Sequence, residues 1–132
     1  MNSSHPLADY PGVTLHEILD YDIVGQDSRS ALTALLRKQS MLLGRQMRVA
    51  VSADGYDVVC QLAAAGLGIG IVAETSCRLF LAGARIVSLP ILDAWARRQH
   101  RLCVSKPETL TPGGRLLFEE LLSRAPAERS LC

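Results

Sequence analysis

A chain of 132 residues, 48% hydrophobic but only 5% aromatic, can build one packed domain whose core is Leu, Val, Ile and Ala. Its 14 basic and 13 acidic side chains leave a formal charge of +1, which argues against a dedicated nucleic-acid surface, since such surfaces are strongly basic. The opening Met-Asn-Ser-Ser-His-Pro is not a secretory signal, and the most apolar run, residues 62–73, is Gly-rich and short of the roughly 20 residues a spanning helix needs, so a soluble cytoplasmic protein without membrane association is expected.

Residues 1–12 carry Pro6, Pro11 and Gly12 and read as a linker or the tail of a missing strand. Val13, Leu15, Ile18 and Leu19 then predict a short helix begun near Thr14, followed by a strand at Ile23-Val24-Gly25. Asp27 or Ser28 is placed to cap a helix over about residues 29–43, with Leu32, Leu35, Leu36, Leu42 and Leu43 on one face. Arg37 and Lys38 suit the negative end of its dipole, and Gly44 stops it. Met47, Val49 and Val51 alternate with Arg48, Ala50 and Ser52 as in a half-buried strand.

Ser52 or Asp54 can cap the next helix, about residues 55–65, whose expected buried face is Val58, Val59, Leu62 and Ala63. Gly66 marks its stop, and Ile69, Ile71 and Val72 form a short buried strand in which Gly68 and Gly70 let a backbone or ligand approach. A short helix over 75–81, strands over 86–89 and 101–105, and a last helix capped by Thr111 and begun by Pro112 complete the order. Pro90 ends the 86–89 strand or places it at an edge. Strands alternating with helices predict a largely parallel α/β sheet, in which ligands sit beyond the carboxyl ends of strands. The segments 25–30 and 52–56 have that position.

Catalytic and cofactor signatures are weak. The glycines at 66, 68 and 70 follow a helix and precede a strand, the reverse of a dinucleotide fingerprint, so no cofactor is expected. His5, His16 and His100 are scattered, and Ser28 and Ser30 lie in no nucleophile elbow. Asp54 and Asp57 read as a cap and an exposed helix position, and Arg97-Arg98 as solvated surface with Trp95 beside it to cover an arginine stem. Cys60, Cys77, Cys103 and Cys132 form no metal-ligand spacing; buried reduced thiols are expected at the first three and an exposed one at the terminus. Gln26, Ser28, Ser52 and Asp54 are either helix caps or donors and acceptors converging on one cleft.

The whole pattern resembles the effector-binding domain of LysR-type transcriptional regulators. His5-Pro6-Leu7-Ala8, Val13-Thr14-Leu15 through Ile23-Val24-Gly25, the stretch from Val58 to Val72, and Val87 to Leu89 followed by Trp95-Ala96-Arg97-Arg98 carry the likeness in order and spacing. Ala73 departs from it, standing where the motif usually has proline. The resemblance implies a three-layer α/β lobe of the type 2 periplasmic-binding-protein-like fold, a sensor without enzymatic activity or metal. Residues 13–92 match the family's second lobe, and 93–125 its return strand and C-terminal helix. By resemblance a polar or anionic small-molecule effector lies between two lobes, and this one contributes Gln26, Ser28, Ser52, Ala53 and Asp54. Self-association would use about Arg29–Leu43 and Met47–Val51, and DNA would be bound only through an N-terminal domain absent from these 132 residues. Met1 is then expected to be an internal methionine of a longer regulator. A transporter's solute-binding protein is the alternative, and an enzyme of the same bilobal fold a third reading.

Overall fold

The computed structural model describes residues 1–27, 29–77, 85–98 and 102–124. Two compact units divide the chain, Met1–Arg97 and Arg98–Cys132.

The first unit is built on three parallel strands, β1 (Ile23–Gln26), β2 (Val49–Ala53) and β3 (Ile69–Gly70), in the order β2-β1-β3. The central place of β1 follows from its sequence. Ile23 and Val24 are both almost fully buried and face opposite sides of the sheet, as successive strand residues must. On one side Ile23, Ile69 and Ile71 join Leu15, Ile18 and Leu19 around α1 (Leu15–Ile18) and Leu36 of α2 (Ala31–Leu42). On the other, α3 (Tyr56–Ala64) packs Val59 and Ala63 against Gly70. A Cβ on Gly70 would lie 2.8 Å from Val59 Cγ1, so the absent side chain is what lets α3 lie on the sheet. Helix, sheet and helix make three layers. A short helix α4 (Glu74–Cys77) follows β3.

The caps differ from the expected ones. Thr14 begins α1 with a reciprocal box, its hydroxyl accepting from Glu17 N while Glu17 Oε2 accepts from Thr14 N at 2.7 Å. The cap of α2 is Ser30, not Asp27 or Ser28: its Oγ accepts from Leu32 N at 3.2 Å and Thr33 N at 3.4 Å. Asp27 instead binds the guanidinium and backbone N–H of Arg29, and Ser28 lies outside the described residues. Neither Ser52 nor Asp54 caps α3; Gly55 holds the cap position with no side-chain bond. Arg37 and Lys38 fall short of the last turn of α2.

The opening segment, read as a linker, is packed. Met1 and Leu7 are buried, Asn2 Nδ2 donates to Ala64 O at the end of α3, and Asn2 bridges Ile86 antiparallel. Residues 85–93 run alongside, with Val13 N donating to Pro90 O at 3.0 Å and Asp93 Oδ2 accepting from Leu15 N at 2.7 Å. The expected strand at 86–89 is therefore a single bridge, because its partner is the short, turn-rich stretch 1–4 rather than a sheet edge. Trp95, in a 3₁₀ turn over Ala94–Ala96, packs against the core.

The buried faces are also narrower than expected. In α2 they are Thr33, Leu36 and Ser40, while Leu42 and Leu43 are exposed; in α3, Val58 is exposed and Cys60 buried. β2 lies at the sheet edge, with Val49 exposed. Cys60 is buried and forms no disulfide, as expected; Cys103 is exposed rather than buried, and the Cys77 side chain and Cys132 lie outside the described residues.

In the second unit, α5 (Pro112–Ser123) starts as the sequence dictates, with Thr111 Oγ1 accepting from Gly114 N at 3.2 Å and Pro112 in the first turn. Residues 102–104 form no strand; Arg101 and most of the expected 75–81 helix beyond Cys77 lie outside the described residues.

Candidate functional site

The parallel register brings two predicted loops together. Gly25 pairs with Ser52 and Gln26 with Ala53, so the carboxyl ends of β1 and β2 stand side by side. Gly25 makes room at this point: a Cβ there would sit 3.0 Å from Val49 Cγ1 and 3.4 Å from Ser52 Oγ. Beneath α2 the same strands wall a cavity of about 310 Å³, to which Gln26 and Ser52 contribute polar groups and Leu32, Leu36, Val49 and Ile71 apolar ones.

Gln26 is held from two directions. Its Oε1 accepts from Ser30 Oγ at 3.1 Å, and its backbone carbonyl accepts from Thr33 Oγ1 at 3.4 Å. The capping serine thus also orients Gln26, whose amide nitrogen keeps its donors for other partners. Asp54 stands beyond Ala53, exposed. Its negative charge reaches Arg29, whose pKa is raised first by the hydrogen bond to Asp27 and also by Asp54. Gln26, Ser52 and Ala53 are therefore gathered at one end of the sheet and Asp54 is coupled to Arg29 on the facing loop, whereas Ser28 lies outside the described residues.

Two contributors escaped the sequence reading. Thr33 and Arg37 both line the cavity. Thr33 is three residues beyond the Ser30 cap and interrupts a leucine face, and a small polar residue at a buried helical position was the signal that could have marked it. Arg37 follows one turn later and had been assigned to the helix dipole.

Chemically, the site offers hydroxyls, an amide and a cation at the rim of an apolar chamber. This suits binding by hydrogen bonds and burial. Among the described residues, no group of His, Cys, Asp or Glu could hold a metal ion, and no helix is long and apolar enough to cross a membrane.

The family model described as LysR substrate binding domain matches residues 1–126. The chain belongs to that family. Among solved structures it is similar to the effector-binding domain of QuiR in complex with shikimate, at 23% identity and a TM-score of 0.61, covering 69% of this chain and 42% of that one. Two Pseudomonas aeruginosa proteins are also similar: HinK, a LysR family transcriptional regulator (17% identity, TM-score 0.56, 70% and 32% covered), and a putative LysR family regulator (16%, 0.66, 94% and 44%). Curated proteins give no match. The chain spans less than half the length of these three structures. At such identities the likeness is one of fold, the type 2 periplasmic-binding-protein-like α/β fold, in agreement with the parallel three-layer unit. These matches, all to LysR-type regulators, favour an effector-sensing module of that class over the transporter alternative.

Proposed function

We propose that this LysR-family chain acts as one effector-holding lobe of a bacterial transcription regulator in the cytoplasm, binding a small polar or anionic molecule without transforming it. The lobe would span about residues 13–92, with 93–125 returning toward a companion lobe. The observation that carries this reading is that Gln26 and Ser52, from the paired carboxyl ends of β1 and β2, both line one cavity. Ser28, Ala53 and Asp54 would complete the contacts, with backbone N–H groups of the two loops available to a carboxylate. A match of under half of each relative fits one lobe of a two-lobed domain. Contact with DNA would be made by another part of the regulator.

Self-association is assigned to residues 29–43 and 47–51. The support is exposed apolar surface on the helix, with Met41 75% and Leu42 73% exposed, and the position of β2 at the edge of the described sheet.

A ligand that binds only the folded chain stabilises it by RT ln(1 + [L]/Kd), about 2.7 kcal/mol at a hundredfold excess over Kd, and so raises the melting temperature. Shikimate and other hydroxylated or amino carboxylates form the starting panel. The expected result is a concentration-dependent rise, made smaller by Ser52→Ala and Gln26→Ala as each weakens binding by about 1 kcal/mol, one hydrogen bond's net worth. A ligand whose shift survives both substitutions would place its site elsewhere.

A further inference from the structure

The cavity continues well beyond the strand ends. Its lining reaches from Gln26 back to Ile23 at the start of β1, and from Leu32 to Arg37 along α2. Its volume of about 310 Å³, roughly ten water volumes of about 30 Å³ each, is partly open to solvent and lies at the lower end of the range of small-molecule sites. The cause lies in the sequence. Short polar Thr33 stands on the inner face of α2, and Gly25 in the opposite wall has no side chain. The chamber is aliphatic, with Leu32, Leu36, Val49 and Ile71 among its walls, and its described lining holds no carboxylate. Arg37, exposed, stands at its rim, and among the described residues its guanidinium makes no ion pair.

We propose that the space between α2 and strands β1 and β2 is itself a binding site for a compact apolar molecule with a single anionic group. The body lies among Leu32, Leu36, Val49 and Ile71, and the anion meets Arg37. This rests on the reading of the same cavity as a binding site and extends it from the strand ends along α2 by naming the chemical class of its occupant. An occupant here would wedge α2 against the edge strand β2, so it would act on the two elements assigned to self-association.

The test uses the full chain with octanoate, whose roughly ten non-hydrogen atoms match the cavity's volume at about one water volume each. The neutral 1-octanol serves as control. Binding is followed by methyl NMR and calorimetry. Octanoate is expected to bind saturably and to shift the Leu32, Leu36, Val49 and Ile71 methyl signals. It should bind about threefold to fivefold tighter than 1-octanol, the gain an exposed charge pair allows. Arg37→Gln, at an exposed position, should abolish that difference and leave the melting temperature unchanged. Thr33→Leu, which narrows the chamber by about one heavy atom, should weaken both compounds alike. Methyl signals that stay fixed at saturation, or equal affinities unaffected by Arg37→Gln, would overturn the proposal. In that event, a polar ligand that still depended on Ser52 would leave the strand-end reading standing.

Discussion

Three glycines spaced two apart, Gly66, Gly68 and Gly70, carry different loads. Gly66 has φ +85° and nothing within 4 Å of a built Cβ, so Gly66→Ala meets only backbone strain. A left-handed alanine costs about 1–2 kcal/mol, offset by about 0.5 kcal/mol of unfolded-state entropy, for a net of about 1 kcal/mol. Gly68 has φ +150°, and its Cβ would lie 2.5 Å from Asp22 O and 2.9 Å from Asp22 C. Those are backbone atoms of the segment entering β1, and Asp22 O also accepts from Ile69 N at 2.9 Å. Strain of about 2 kcal/mol, a weakened hydrogen bond of about 1 kcal/mol and overpacking of at least about 1 kcal/mol give about 4 kcal/mol for Gly68→Ala. Gly70→Ala meets a side chain, Val59 Cγ1 at 2.8 Å, and should cost about 1–3 kcal/mol. Val59→Ala removes that clash, so the Gly70→Ala, Val59→Ala double variant should be at least about 1 kcal/mol more stable than the sum of its singles. Urea unfolding followed by far-ultraviolet circular dichroism measures each value. Equal losses for Gly66→Ala and Gly68→Ala, or additivity of the 59–70 pair, would refute the packing argument.

Ser30→Ala removes the α2 cap and the orientation of Gln26 together; it should cost about 1 kcal/mol in urea unfolding and also weaken any ligand that Gln26 holds, whereas a pure cap would leave ligand affinity unchanged. Two titrations set the acid response. The His5 pKa is lowered below 6.5, first by desolvation and then by the nearby N-terminal charge, and its Nδ1 accepts from Leu7 N at 3.2 Å. A lowered folded pKa means the unfolded chain binds the proton better, so His5's contribution is present above pH 6.5 and lost as pH falls below it. Glu17 is lowered from 4.5, first by the Thr14 backbone N–H and then by its hydroxyl, so its contribution is lost as pH falls below that value. Melting temperature against pH should therefore decline in two steps, with His5→Gln flattening the upper and Glu17→Gln the lower; unchanged profiles would remove both groups from the account.

Local chemistry was legible wherever it is settled by neighbours in the chain. Thr14 with Glu17, Thr111 with Pro112, Gly66 past α3, and the three strand–helix pairs follow from capping geometry and periodicity within a few residues. The motif from Val58 to Val72 carried the family, because its glycines and branched residues serve the same two packing contacts that the fold requires. Tertiary structure decided what those rules leave open. The cap of α2 fell to Ser30 and not to the expected Asp27 or Ser28, and the cap of α3 to a glycine. The 86–89 segment lost its strand because hydrogen-bonded partners, not β-propensity, make a ladder, and its partner was the opening segment. The placing of Gln26 beside Ala53 and of Ser52 beside Gly25 rests on strand register, a long-range pairing that joins residues about 27 apart and that no local pattern encodes. The cavity beneath α2 arises the same way, from Thr33 and Gly25 failing to fill the space between a helix and a sheet that the rest of the core holds apart.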